Sequence, residues 1–105
     1  MGGSQAQPRV IVLPAELDVA NADLFGEQLG SAFVPGVTVV IADMTDTTRC
    51  DSWGIRMLAV AHRRATANQA ELRLVVPSAA LRHTFVLMGL FLPLYASMSA
   101  ALRLG

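Results

Sequence analysis

The sequence predicts an α/β fold: one domain with a mainly parallel β-sheet of about four strands and four helices. Two observations carry this reading. Short β-branched runs alternate with helix-length segments in the order β-α-β-α-β-α-β-α, and such alternation builds a layered fold in which neighbouring parallel strands are joined by helical crossovers. The run Val37–Ala42 (VTVVIA) is also apolar without alternation, as a strand covered on both faces requires.

The elements follow in chain order. RVIVL, Arg9–Leu13, is short, apolar and ended by Pro14, which reads as a strand. Asp18 opens a helical pattern through about Ala32, with Leu17, Leu24, Phe25 and Leu29 as expected core positions. Pro35-Gly36 is a turn, and Val37–Ala42 is the central strand. The segment DMTDTTRCD is polar and rich in turn formers, and the next helix runs from about Ser52 to Asn68. Leu72–Val76 is a third strand stopped by Pro77. Ser78 caps a helix to Met88, which Gly89 ends. Leu94–Ala96 is a short edge strand, and Ser97 caps a last helix through Leu102. Residues 1–8, MGGSQAQP, read as a flexible leader, leaving residues 9–105 as the domain.

Composition narrows the function. Hydrophobic residues make up 53% of the 105, enough to build a core and to argue against disorder. Formal net charge is zero, which argues against a nucleic-acid partner, since phosphate binding needs a basic surplus. The charges are unevenly spread: residues 1–51 hold seven acids and two arginines, whereas residues 52–105 hold one acid and six arginines. Either the molecule is electrostatically two-sided or the two sets intermix in space. The one cysteine, Cys50, precludes an internal disulfide and fits a cytoplasmic location. No apolar run reaches the ~18 residues of a membrane span, so direct membrane insertion is not expected.

The second helix carries two apolar faces. With Ile55 as the zero direction and about 100° per residue, Leu58, Ala59, His62 and Ala65 fall within about 80° of it and form the core stripe. Trp53, Met57 and Val60 lie opposite, with Arg64 beside them. Either other parts of the chain cover that second face, or it is an exposed patch that docks a partner. Trp and Arg are frequent anchors in such patches and Met adapts to irregular surfaces, so Trp53, Arg56, Met57, Val60 and Arg64 are the candidate partner-binding residues. His62, without a second ligand at metal spacing, reads as a core or boundary histidine.

Enzyme chemistry has little support. The chain has no GxSxG, no glycine loop ending in GK[ST], no pair of histidines at metal spacing and no lysine. No cofactor is expected. Cys50 reads as a small buried residue; its neighbour Arg49 leaves a lowered thiol pKa as the minor alternative.

Asp51 and Ser52 stand where helical N–H groups lack partners and the helix dipole is positive. One of them caps the helix, worth about 1 kcal/mol, and the other is left over. A phosphate on Ser52 is tolerated at a helix N-terminus yet brings about two negative charges to an apolar docking patch. Desolvating that dianion at an interface is costly, so binding is lost while the fold survives.

These residues resemble the STAS domains, and among them the bacterial anti-sigma factor antagonists. LPAELDVANADLF is similar to the family's L-x-G-E-L-D-x-x-x-A-x-x-L segment, with Ala15 in place of Gly. VVIADMTDTTRCDSWGIRMLAVAHRRA is similar to its hydrophobic strand, Asp-Leu-Ser, Asp-Ser-x-Gly switch and long helix, and LRLVVPSAALRHTFVLMGL to the strand, helix and Gly-Leu end that follow. The resemblance runs from about Arg9 to Leu102. It implies a single STAS-like domain in which Ser52 is the phosphorylatable serine, Asp51 the acid before it and Gly54 the glycine of the first turn. It also implies a partner, an anti-sigma factor commonly of the GHKL-type Ser/Thr kinase class, and a phosphatase that removes the phosphate from Ser52. Arg49, where the family usually has an apolar residue, and Trp53, where it usually has a small one, depart from the pattern, and the segment before Arg9 is short and polar for the family's extra first strand.

The expected function is therefore an anti-sigma factor antagonist. Two alternatives stand beside it. One is a non-switching STAS scaffold, as in stressosome-like assemblies or lipid-transport ATPase accessory modules. The other is a small-ligand sensor or enzyme built around DMTDTTRCDS.

Overall fold

The computed structural model describes residues 7–103, so the expected leader lies outside them except for its last two residues. Four strands form the main sheet: β1 (Arg9–Val12), β3 (Val39–Asp43), β5 (Glu71–Val75) and β6 (Leu94–Tyr95), in the order β1-β3-β5-β6. Every neighbouring pair is parallel, with Ile41 of β3 set between Val10 and Arg73. Two residues of β2 (Glu16–Leu17) pair in parallel with two of β4 (Arg49–Cys50) as a small separate ribbon. The helices are α1 (Ala22–Ala32), α2 (Ser52–Ala67), α3 (Ala79–Leu87) and α4 (Met98–Ala101).

Alternation along β3 and β5 divides the core by sheet face. Val40, Ala42, Leu72, Leu74 and Val76 pack with Leu29 and Ala32 of α1, Ile55, Leu58, Ala61 and Ala65 of α2, and Leu81 and Phe85 of α3. Val39, Ile41 and Val75 point the other way, against Ala101 of the short α4. The central strand is buried at Val39, Val40, Ile41 and Ala42, as its unbroken apolar run implies.

The caps expected for the last two helices are present. Ser78 Oγ accepts the N–H of Leu81 at 3.1 Å, and Ser97 Oγ accepts that of Ala100 at 3.1 Å. Gly89 ends α3 at φ +80°, a left-handed conformation that glycine adopts at no steric cost.

The first helix departs from expectation. It starts at Ala22, not Asp18, because local side chains hold the preceding residues in a turn. Asn21 Oδ1 accepts the N–H of Asp18 at 2.9 Å, Asp18 Oδ1 accepts that of Ala20 at 3.0 Å, and Asn21 Nδ2 donates to the Glu16 carbonyl at 2.8 Å. Leu17 is buried as expected, but on β2. Leu24, expected in the core, is 53% exposed, because the inward face of the later-starting helix is Ala22, Phe25, Leu29 and Ala32.

One strong anchor has no counterpart in the sequence reading. Arg73 is buried on β5 and donates to the carbonyls of Ala101 at 2.7 Å and Arg103 at 2.8 Å. Glu71 pairs with it at 3.0 Å, and its guanidinium lies 5.6 Å from the centre of the Tyr95 ring. The C-terminal turn is thereby tied to the sheet by charge-assisted bonds to carbonyls that the end of a helix leaves unpaired.

Candidate functional site

α2 begins where the small ribbon ends. The Asp51 N–H donates to the Leu17 carbonyl at 3.1 Å, and Asp51 is extended, at φ −87° and ψ −175°. Its carboxylate therefore folds over the first turn: Oδ1 accepts the N–H of Trp53 at 2.9 Å and of Gly54 at 3.0 Å. Asp51 is the cap. Ser52, the first residue of the helix, is exposed, and its hydroxyl takes no part in the capping.

Gly54 permits this arrangement. A Cβ there would lie 2.8 Å from Cys50 Sγ and 3.0 Å from both Cγ and the carbonyl oxygen of Leu17. Only a residue without a side chain lets the helix start sit against the ribbon, so Gly54 sets the position of the Asp51-Ser52 corner by packing.

The second apolar face of α2 is neither wholly open nor sealed. Trp53 is 52% exposed, with the Arg56 guanidinium 6.0 Å from its ring centre. Met57 and Val60 are half-buried, and Met57 packs against the main core. α1 accounts for the difference: a Cβ on Gly26 would stand 2.9 Å from Met57 Cγ, so the glycine brings the first helix down onto Met57. Arg56 and Arg64 are exposed.

Between α1 and α2 runs a groove of about 420 Å³. Ala22, Gly26, Phe33, Met57, Val60 and Ala61 line it, with Trp53 at one end. Asp23 and Glu27 stand on the α1 side, Arg56 and Arg64 on the α2 side. Here the acidic first half of the chain faces the arginine-rich second half across one cleft, so the two charge sets meet. The α1 wall was not anticipated from sequence. Its available signal is the small-residue spacing Ala22, Gly26, Gly30, which lies on one helical face.

Burial, with Asp51 adding to it, pushes the Cys50 thiol up from 9.0 to about 12, opposite to the lowering that Arg49 suggested. The thiol is thus held protonated and unreactive at neutral pH. His62 is half-buried at the edge of the core, and its Nδ1 has no hydrogen-bond partner. Among the described residues no three of His, Cys, Asp and Glu come together as a metal site, and no helix is long and apolar enough to cross a membrane.

Parallel strands, a ribbon-borne acid cap, an exposed serine and a first-turn glycine are joined by a family match: the STAS domain model covers residues 4–101. The chain belongs to the STAS domain family. No curated relative matches it in sequence. Among solved structures, this STAS domain is similar to an anti-sigma factor antagonist from Mycobacterium paratuberculosis, with TM-score 0.77 and 22% identity over 89% of this chain and 80% of that one. It is similar to the Bacillus cell fate determinant SpoIIAA in its phosphorylated form, with TM-score 0.60 and 28% identity over 77% of this chain and 74% of that one. It also matches part of the murine solute carrier 26 family member A9 anion transporter, with TM-score 0.74 and 18% identity over 88% of this chain but only 16% of the transporter. The STAS fold here is that of the anti-sigma factor antagonists.

Proposed function

We propose that this chain is an anti-sigma factor antagonist that works as a phosphorylation-controlled binding module. Unmodified, it sequesters an anti-sigma factor with a GHKL-type Ser/Thr kinase domain, and a sigma factor is freed. The kinase moves the γ-phosphoryl group of ATP to Ser52 Oγ, and the complex dissociates. A phosphatase hydrolyses the phosphoserine and resets the module. The chain is substrate and binding surface, needs no cofactor and works in the cytoplasm.

The observation that carries this reading is the division of labour at the start of α2. Asp51 supplies the cap, which leaves the Ser52 hydroxyl exposed, and the next residue is the half-exposed Trp53. A phosphate at that point costs the fold little and sets a dianion beside the apolar surface a partner has to cover. Trp53, Arg56, Met57, Val60 and Arg64 form that surface. The bulk of Trp53 beside the acceptor favours the alternative, a non-switching STAS scaffold, and one assay separates the two. Incubation with the GHKL-type anti-sigma kinases of the source organism and ATP, read by intact mass, is expected to add one phosphate, and Ser52→Ala to abolish it. If none of these kinases phosphorylates the chain, the switch falls and the scaffold remains.

A further inference from the structure

The groove between α1 and α2 has a shape and a charge pattern that describe its occupant. The cleft that begins at Trp53 shares Gly26, Glu27, Gly30, Phe33 and Arg64 with a second depression that reaches Asn68, the residue after α2. Together they form a channel along the 16 residues of α2, a length of roughly 24 Å at about 1.5 Å per helical residue. Its floor is apolar. One rim carries Asp23 and Glu27, the other Arg56 and Arg64, and no ion pair joins the rims among the described residues. Opposite charges facing each other unbridged are ready for an element that carries both signs.

We infer that this channel receives an amphipathic helix of the partner protein, laid between α1 and α2. Apolar residues at helical spacing sit on Met57 and Phe33 and against Trp53. Basic residues of that helix face Asp23 and Glu27, and acidic residues face Arg56 and Arg64. This is helix-in-groove recognition, with charge order setting the direction in which the helix lies. The inference rests on the proposed function, because Trp53 joins the channel to Ser52: a phosphate there stands at the mouth and opposes the acidic edge of the incoming helix.

Gly30 provides the test. It is exposed, lines both depressions, and a Cβ built on it meets nothing within 4 Å. Gly30→Leu therefore puts bulk into the channel from an exposed position whose Cβ has open space, and it improves helix propensity, so its melting temperature is expected to match or exceed that of the parent chain. Against the kinase that phosphorylates Ser52, calorimetry is expected to show Kd raised about tenfold or more for Gly30→Leu. Glu27→Arg and Arg64→Glu are expected to weaken binding similarly, whereas Gln28→Arg, on the other side of α1, is not. If Gly30→Leu and both charge reversals bind like the parent chain while Trp53→Ala loses binding, the partner docks on the start of α2 alone: the channel inference falls and the proposed function stands. If no such kinase binds the unmodified chain, both fall.

Discussion

A Cβ on Gly54 would lie 3.0 Å from the carbonyl oxygen of Leu17, so the first turn of α2 rests directly on the backbone of β2. A carbonyl paired into a ribbon cannot move aside as a flexible side chain can, so this contact fixes where the Asp51-Ser52 corner stands. Gly54→Ala gains about 1 kcal/mol in helix propensity but is expected to lose more than that to overpacking, typically about 1–3 kcal/mol. Gly30→Ala, with open space around its Cβ, is expected to stabilise by about 1 kcal/mol. Urea denaturation of the two variants should give opposite signs; equal signs would contradict the contact.

The two residues of the corner should separate in the same experiment. Asp51→Ala removes an oxygen that accepts two backbone N–H groups and is expected to cost about 1 kcal/mol. Ser52→Ala is expected to fall within about 0.5 kcal/mol of the parent, as surface changes away from a cap do. A larger loss for Ser52→Ala than for Asp51→Ala would give the cap to the serine and remove the free hydroxyl from the account.

Arg73 should behave as a structural anchor remote from binding. Arg73→Ala leaves the Ala101 and Arg103 carbonyls without their donor and is expected to cost about 2–4 kcal/mol, since bonds to a charged group and a half-buried pair are lost together. Arg73→Lys should recover only part of this, because an ammonium lacks the planar fork that reaches two carbonyls and Glu71 at once. Thermal melts check the order Ala, Lys, parent.

Cys50 gives a pH signature. Its thiol pKa is raised from 9.0 to about 12 in the folded chain. The unfolded state therefore loses its proton first, and the stability tied to the protonated thiol is complete below about pH 9 and declines as pH rises toward 12. At pH 9 a thiol reagent is expected to label the native chain far more slowly than the urea-unfolded chain. Equal rates would mean that Cys50 is not shielded.

Local chemistry was readable in the sequence, and relations between distant segments were not. Ser78 and Ser97 announce their helices because a cap is made by one side chain and the next turn. The parallel sheet is written in the alternation of elements, and Val39–Ala42 declares its burial as four apolar residues in a row, although the strand starts only after the exposed Thr38. The β2–β4 ribbon spans two residues on each side, too few to show a period. Leu24 misled because Asp18 and Asn21 use their side chains to hold a turn, so Leu17, which stands seven residues before Leu24, is on β2 and not on the helix, and Leu24 is left about 100° from Phe25 on the inward face. At the site, Asp51, Ser52, Gly54 and Trp53 stand together as their adjacency in sequence requires. The α1 wall of the groove depends on which helix lies beside α2, and a helical repeat of small residues alone does not say what they face.

The affinity of a chain carrying phosphoserine at position 52, made by site-specific incorporation and measured by calorimetry beside the unmodified chain, tests the switch most directly. The partner is the GHKL-type kinase held with ADP, so that no phosphate is transferred during the titration. The expected result is a Kd at least about tenfold weaker for the phosphorylated chain, with an unchanged melting temperature. Equal affinity of the two forms, or loss of binding through unfolding of the phosphorylated chain, would contradict a switch built on an exposed serine beside an open surface.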